Sequence, residues 1–117
     1  MARTETDRAG LITYTIIEDF CEIVTLNSFV EKRGVGSGLV NRVRVLAEKS
    51  GCSRIRLITT NDNINAIRFW RKQGFSLAAV YRNAVMESRK IKPRIPEIGE
   101  NGIPIRDEIE LELVLKK

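Results

Sequence analysis

The sequence predicts an α/β or α+β fold in which helices cover a mixed sheet. Three observations carry that reading. Apolar residues alternate in two neighbouring runs near the front, they recur at helical spacing after a glycine-rich interval, and strand and helix patterns then follow one another to the end. The 117 residues suffice for one domain, 1–117, with a single modest core.

From Gly10 to Ile17 the chain alternates, with Ile12, Tyr14 and Ile16 on one face. Glu18-Asp19 offer a turn before a second run from Phe20 to Leu26, so a β-hairpin is expected. Leu39, Val40, Val43, Leu46 and Ala47 then recur at helical spacing, with Arg42, Arg44, Glu48 and Lys49 facing elsewhere, and Ser50-Gly51 stops the helix. Arg54 to Thr60, rich in Ile, Leu and Thr, predicts a strand. Asn61-Asp62-Asn63 supplies N-cap candidates for a second helix that carries Ala66, Ile67, Phe69 and Trp70 and ends at Gly74. Phe75 to Tyr81 predicts another strand and Ala84 to Lys90 a short helix, while Pro93, Pro96, Gly99 and Gly102 mark a long loop. Ile109, Leu111, Leu113 and Leu115 alternate with Glu110, Glu112 and Val114, which predicts a closing strand with one wet face. The polar opening MARTETDRAG carries no element in this reading.

Histidine is absent, so no Ser-His-Asp or Cys-His nucleophile, no HExxH zinc site and no imidazole acid or base exists here. Catalysis is left to carboxylates, hydroxyls, backbone amides or a cofactor. Cys21 and Cys52 form no CxxC pair, so no metal is implied, no secreted disulfide framework is expected, and a reducing cytoplasm fits. The opening has acidic residues where a signal peptide needs an apolar run, and no apolar stretch approaches the ~18 residues of a membrane span. The expectation is a protein neither exported nor membrane-spanning.

Twenty Lys plus Arg against fifteen Asp plus Glu leave a formal charge of +5, which suits an anionic partner such as nucleic acid or a phosphate-bearing cofactor. Basic residues gather at Arg82, Arg89, Lys90, Lys92 and Arg94, and acidic ones at Asp107, Glu108, Glu110 and Glu112; such runs usually form solvated surface. The basic stretch lacks interleaved aromatic residues, which disfavours nucleic acid as the partner.

Arg33-Gly34-Val35-Gly36-Ser37-Gly38 stands between a strand and the first helix. Without Cβ atoms its glycines let the backbone turn tightly and bring N–H groups against a ligand, while the helix N-terminus adds about half a unit of positive charge. The plain alternative is a strand-to-helix turn. No GK[ST] follows, so this is not a Walker loop, and no acidic residue ends the next strand at Thr60, which counts against a dinucleotide fold.

RGVGSGL resembles the pyrophosphate-binding motif of the GNAT superfamily of N-acetyltransferases, in which Gln or Arg, two variable residues, Gly, one variable residue and Gly or Ala follow in order; Arg33, Gly36 and Gly38 match. TTNDNINAIRFWRKQGF is similar to the family's downstream pattern, with Asn63, Ala66, an aromatic at position 70 and Gly74-Phe75 in register. KPRIPEIGENGIPIRDEIELEL resembles the end of a bacterial branch, and the likeness covers about Gly10 to Leu115. It implies a mostly antiparallel sheet flanked by helices, lacking the strand and two helices that usually open the fold.

The resemblance also implies acetyl-CoA as co-substrate. The strand before the loop would splay from its neighbour, so that backbone near Val24 and Leu26 binds the pantetheine arm like an added strand. The amides of Gly34, Val35, Gly36, Ser37, Gly38 and Leu39 would hold the pyrophosphate, with Arg33 beside them, and Asn63, Phe69 and Trp70 would flank the arm. Read from the residues alone, Ile67, Phe69 and Phe75 are core and Asn63 is a helix cap.

Two departures stand out. Many members carry tyrosine where this chain has Trp70, and that phenol is held to protonate the departing thiolate. An indole donates a hydrogen bond but is no practical acid. Trp70 would therefore steady the sulfur while water supplies the proton, with weakened turnover, or mark a protein that binds the cofactor without catalysis. Second, the family's opening helices, which form much of the acceptor pocket, have no counterpart before Thr13: either the chain is a shortened relative or another subunit supplies that wall and covers the core. Leaving that apolar surface open costs roughly 25 cal/mol per Å², which makes a homodimer the expectation.

Glu22, on the strand beside the expected acetyl group, is the candidate base, with Asp19 and Tyr14 behind it. The expected activity is N-acetyl transfer to an amine by direct attack. The alternative is a catalytically degenerate acyl-CoA-binding module acting as a sensor or subunit.

Overall fold

Alternation in the front of the chain becomes a hairpin: β2 (Gly10–Ile17) and β3 (Phe20–Ser28) pair antiparallel around a turn in which Glu18 takes a left-handed φ of 53°. The computed structural model describes residues 2–7, 10–28 and 34–115. Across these, β1 (Ala2–Asp7) precedes the hairpin, and α1 (Val35–Lys49), β4 (Arg54–Thr60), α2 (Ile64–Lys72), β5 (Ser76–Tyr81), α3 (Ala84–Ile91) and β6 (Glu108–Val114) follow it. Six strands lie in the order β1-β2-β3-β4-β6-β5. The pairs β1–β2, β2–β3 and β5–β6 are antiparallel and β3–β4 is parallel, the mixed and mostly antiparallel sheet that was expected.

The polar opening corrects one expectation. Ala2–Asp7 is a strand, paired with β2 from Ala2↔Thr15 to Asp7↔Gly10. Its own residues supply little apolar drive; the N–H and C=O groups along the edge of β2 supply the partner. α1 also begins at Val35, ahead of the first periodic apolar residue.

The chain divides into two units, residues 1–57 with 113–117 and residues 58–112. In the first, Ile12, Cys21, Val40, Val43, Ala47 and Ile55 are fully buried. Each such Val or Ile contributes about 1.5–3 kcal/mol. Gly10 is required for this packing, because a Cβ there would stand 2.6 Å from the Asn27 carbonyl oxygen and 3.0 Å from Val35. Ser50 closes α1, and Gly51 at φ 81° turns the chain toward β4.

In the second unit Trp70 and Phe75 are buried, and Trp70 makes edge-on ring contacts with Phe69 at 5.0 Å and with Phe75 at 5.1 Å. Leu111 is buried as expected, but the face of β6 opposite to it is not uniformly wet. Glu110 is buried as well, and its carboxylate accepts the hydroxyl of Tyr81. A buried carboxylate needs such a donor. The long loop before β6 is pinned rather than loose: Arg89 donates to the carbonyls of Ile95, Pro96 and Ile105, at 3.3, 2.6 and 2.6 Å.

Candidate functional site

The start of α1 carries no side-chain cap and opens on glycine. Gly34 is its N-cap, at φ 69° and ψ 11°, a left-handed conformation that favours glycine. No side chain caps the helix and no acidic residue stands in its first turn, so its positive end is not neutralised from within. A Cβ placed on Gly34 or Gly38 meets nothing within 4 Å, so both positions border open space.

One part of the expected amide row is corrected. The N–H of Gly38 donates to the Gly34 carbonyl at 2.9 Å, the first bond of the helix. Leu39 is 1 % exposed, and its amide lies within the helical ladder. The Gly38 N–H is thus taken up inside the helix, and Leu39 anchors the helix in the core. Val35 and Gly36, at the first helical positions, have no carbonyl one turn back within the helix. Ser37 is half-buried beside them. Arg33 lies outside the described residues.

β3 carries the second element. Thr13 faces Thr25 while Tyr14 faces Ile23, so Val24 is the extra residue of a β-bulge, and its side chain is 59 % exposed. A bulge releases a residue from the ladder and re-aims the backbone around it. Leu26, half-buried, pairs with Ile12. The parallel ladder with β4 covers Phe20↔Arg54, Cys21↔Ile55 and Glu22↔Arg56, and Val24 and Leu26 lie beyond it.

Glu22 is half-buried and ion-paired with Arg56 at 3.5 Å. The guanidinium groups of Arg54 and Arg56 stand over the Phe20 ring at 5.0 and 5.6 Å, which steadies the arginine facing Glu22. Asp19 is engaged in the hairpin turn, its carbonyl taking the Ser53 N–H at 2.6 Å and its carboxylate the Ser53 hydroxyl at 3.2 Å. Tyr14 is 3 % exposed, and burial, reinforced by the charge of Glu5, raises its phenol above the ordinary range. Of the three, Tyr14 is buried on β2, Asp19 is exposed in the turn, and Glu22 is the half-buried carboxylate on β3.

In the second unit Asn63 caps α2, its Oδ1 accepting the Ala66 N–H at 3.4 Å. Phe69 is half-buried, whereas Trp70 is 6 % exposed and enclosed by its ring contacts. No local pattern announces the polar lattice nearby. Asn61 accepts the N–H groups of Arg106 and Asp107 at 2.9 Å and donates to the Pro104 carbonyl at 2.9 Å. Among the described residues no His, Cys, Asp or Glu cluster could hold a metal ion, and no helix is long and apolar enough to cross a membrane.

The family model described as Acetyltransferase (GNAT) family matches residues 1–75. The chain is 54 % identical over 100 residues to the uncharacterized protein YdhI of Bacillus subtilis, an alignment covering 86 % of this chain and 62 % of that protein. It is 43 % identical over 111 residues to the uncharacterized protein YxbD of Bacillus subtilis, covering 95 % and 70 %. A crystal structure of a Bacillus subtilis acetyltransferase in complex with CoA superposes with a TM-score of 0.78 at 28 % identity, covering 92 % of this chain and 70 % of that one. The chain thus spans less than two thirds of the length of YdhI.

Proposed function

The chain belongs to the GNAT acetyltransferase family, and on that premise we propose that it transfers an acetyl group from acetyl-CoA to the nitrogen of an amine by direct attack, with no covalent enzyme intermediate. The observation that carries this reading is the start of α1, where open glycine positions, an uncapped positive helix end and no acidic side chain together fit a diphosphate. Acetyl-CoA supplies an activated thioester, whose C–S bond breaks as the C–N bond to the amine forms, water giving a proton to the thiolate.

In this reading the N–H groups of Val35 and Gly36 hold the pyrophosphate, with Gly34, Ser37 and Gly38 leaving room for it and Arg33 matching the family motif. The backbone at the Val24 bulge and at Leu26 receives the pantetheine arm as an added strand would. Glu22 takes the proton of the attacking amine, directly or through a water. Asn63, Phe69 and Trp70 are assigned by their match to the downstream motif. Two copies form a homodimer, a reading supported by the exposed Leu77, Val80 and Tyr81 on the edge strand β5. Cys21 and Cys52 form no disulfide among the described residues, which supports the cytoplasm as its compartment.

The enclosure of Trp70 between Phe69 and Phe75 favours a second reading, an acyl-CoA-binding module without turnover. Thiol release from acetyl-CoA across an amine panel separates the two. Release with at least one amine supports the transferase; binding with no release for any amine supports the module, and absence of binding overturns both.

A further inference from the structure

Residues 58–112 hold a cavity of about 300 Å³ that the acetyl-transfer reading leaves without a role. Its size lies at the lower end of small-ligand sites, roughly 300–1,000 Å³. The apolar part of its lining is Val85, Ile91 and Ile95, and the polar part includes Thr60, Lys92 and Glu108.

Several features mark it as a prepared site rather than a packing gap. Ile91 lines it yet is 83 % exposed, an apolar side chain left at its mouth, whereas Val85 is 3 % exposed. Lys92 and Glu108 bring opposite charges to one cavity, and neither side chain has a partner among the described residues. Thr60 donates its hydroxyl proton to Asp62 at 2.6 Å, so its oxygen remains as an acceptor. The wall is held in place, because Arg89 on α3 takes the carbonyls of Ile95, Pro96 and Ile105. Such a lining asks for a molecule with three parts: an ammonium for Glu108 and Thr60, a carboxylate for Lys92, and an apolar body for Val85, Ile91 and Ile95.

We propose that this cavity binds a small apolar amino acid.

The test is titration of the intact protein with L-leucine, L-leucinamide and 4-methylpentanoate in the absence of acetyl-CoA, followed by amide NMR and calorimetry. Leucine is expected to shift the signals of Val85, Lys92, Ile95 and Glu108. Leucinamide lacks the carboxylate and 4-methylpentanoate the amine, so each is expected to bind about tenfold more weakly or less, as the loss of one charged contact implies. Glu108→Gln and Lys92→Met should each weaken leucine by a similar factor while leaving the circular dichroism spectrum unchanged. No shift with leucine at millimolar concentration, equal binding of leucinamide, or indifference to both substitutions overturns the proposal. Failure here leaves acetyl transfer standing if acetyl-CoA still binds, and failure of acetyl-CoA to bind leaves the leucine titration intact.

Discussion

Asn61 and Asp107 are joined by two hydrogen bonds of opposite sense. The Asn61 N–H donates to the Asp107 carbonyl at 3.0 Å, and the Asn61 side-chain oxygen accepts the Asp107 N–H at 2.9 Å. The first residue after β4 is thereby clasped to the residue that precedes β6.

Asn61→Ala keeps the backbone bond but removes the side-chain half of the clasp, leaving the N–H groups of Arg106 and Asp107 and the carbonyl of Pro104 without this partner. Of these only Asp107 is buried, and a buried group left without its partner costs about 1–3 kcal/mol. Urea denaturation should show a loss of that order, and an unchanged midpoint would show that water replaces the amide at no cost.

Gly36→Glu should abolish acetyl-CoA binding without unfolding the chain. The substitution puts bulk and negative charge among the first amides of α1, where an acidic residue otherwise favours the helix. Ligand at ~100 times its dissociation constant adds about 2.7 kcal/mol to the folded state, so the parent protein should show a clear thermal shift and the variant none.

Trp70 should reveal two separable roles. Truncation to alanine removes both ring contacts and is expected to cost about 3–5 kcal/mol, read by chemical denaturation. Trp70→Tyr restores a phenol and should raise kcat with little change in KM if thiolate protonation limits the rate. An unchanged kcat places the limiting step elsewhere.

Asp107 predicts an acid limb in the stability profile. Hydrogen bonds from Arg106 and from the Asn83 N–H hold its carboxyl below the ordinary carboxylate range. A group lowered on folding stabilises above its unfolded value and loses that contribution as pH falls, so stability should decline as pH drops below about 4. In Asp107→Asn this decline should be shallower in denaturation midpoints measured across that window.

Cys21 predicts the opposite limb. Burial, with the neighbouring Cys52 adding to it, pushes its thiol up to about 12. The folded chain keeps it protonated where an unfolded chain, near ~8.5, ionises, so its contribution fades as pH rises above that value. Iodoacetamide at mildly alkaline pH should leave Cys21 unmodified in the native protein and label it on unfolding, read by mass spectrometry; native labelling would show that the strand opens.

What the amino-acid order determined by itself is what repeats locally. Alternation located β2 with its bounds, the apolar stripe of Leu39, Val40, Val43 and Ala47 located α1, and the glycines at 34, 36 and 38 marked the tight turn at its start. Periodicity reports which face of a segment avoids water, and glycine reports where the backbone departs from ordinary angles; both can be read without knowing what lies opposite.

Tertiary structure alone decided the rest. β1 is polar and exists because β2 offers it an edge, Glu110 is buried because Tyr81 reaches it, and Arg89 turned from a surface charge into the pin of the loop before β6 because three carbonyls converge on it. The spent amide of Gly38 and the enclosure of Trp70 belong to the same class. Each depends on a polar or aromatic partner supplied by the fold, and a hydrogen bond between residues such as Asn61 and Asp107, 46 positions apart, leaves no mark on the pattern of either segment.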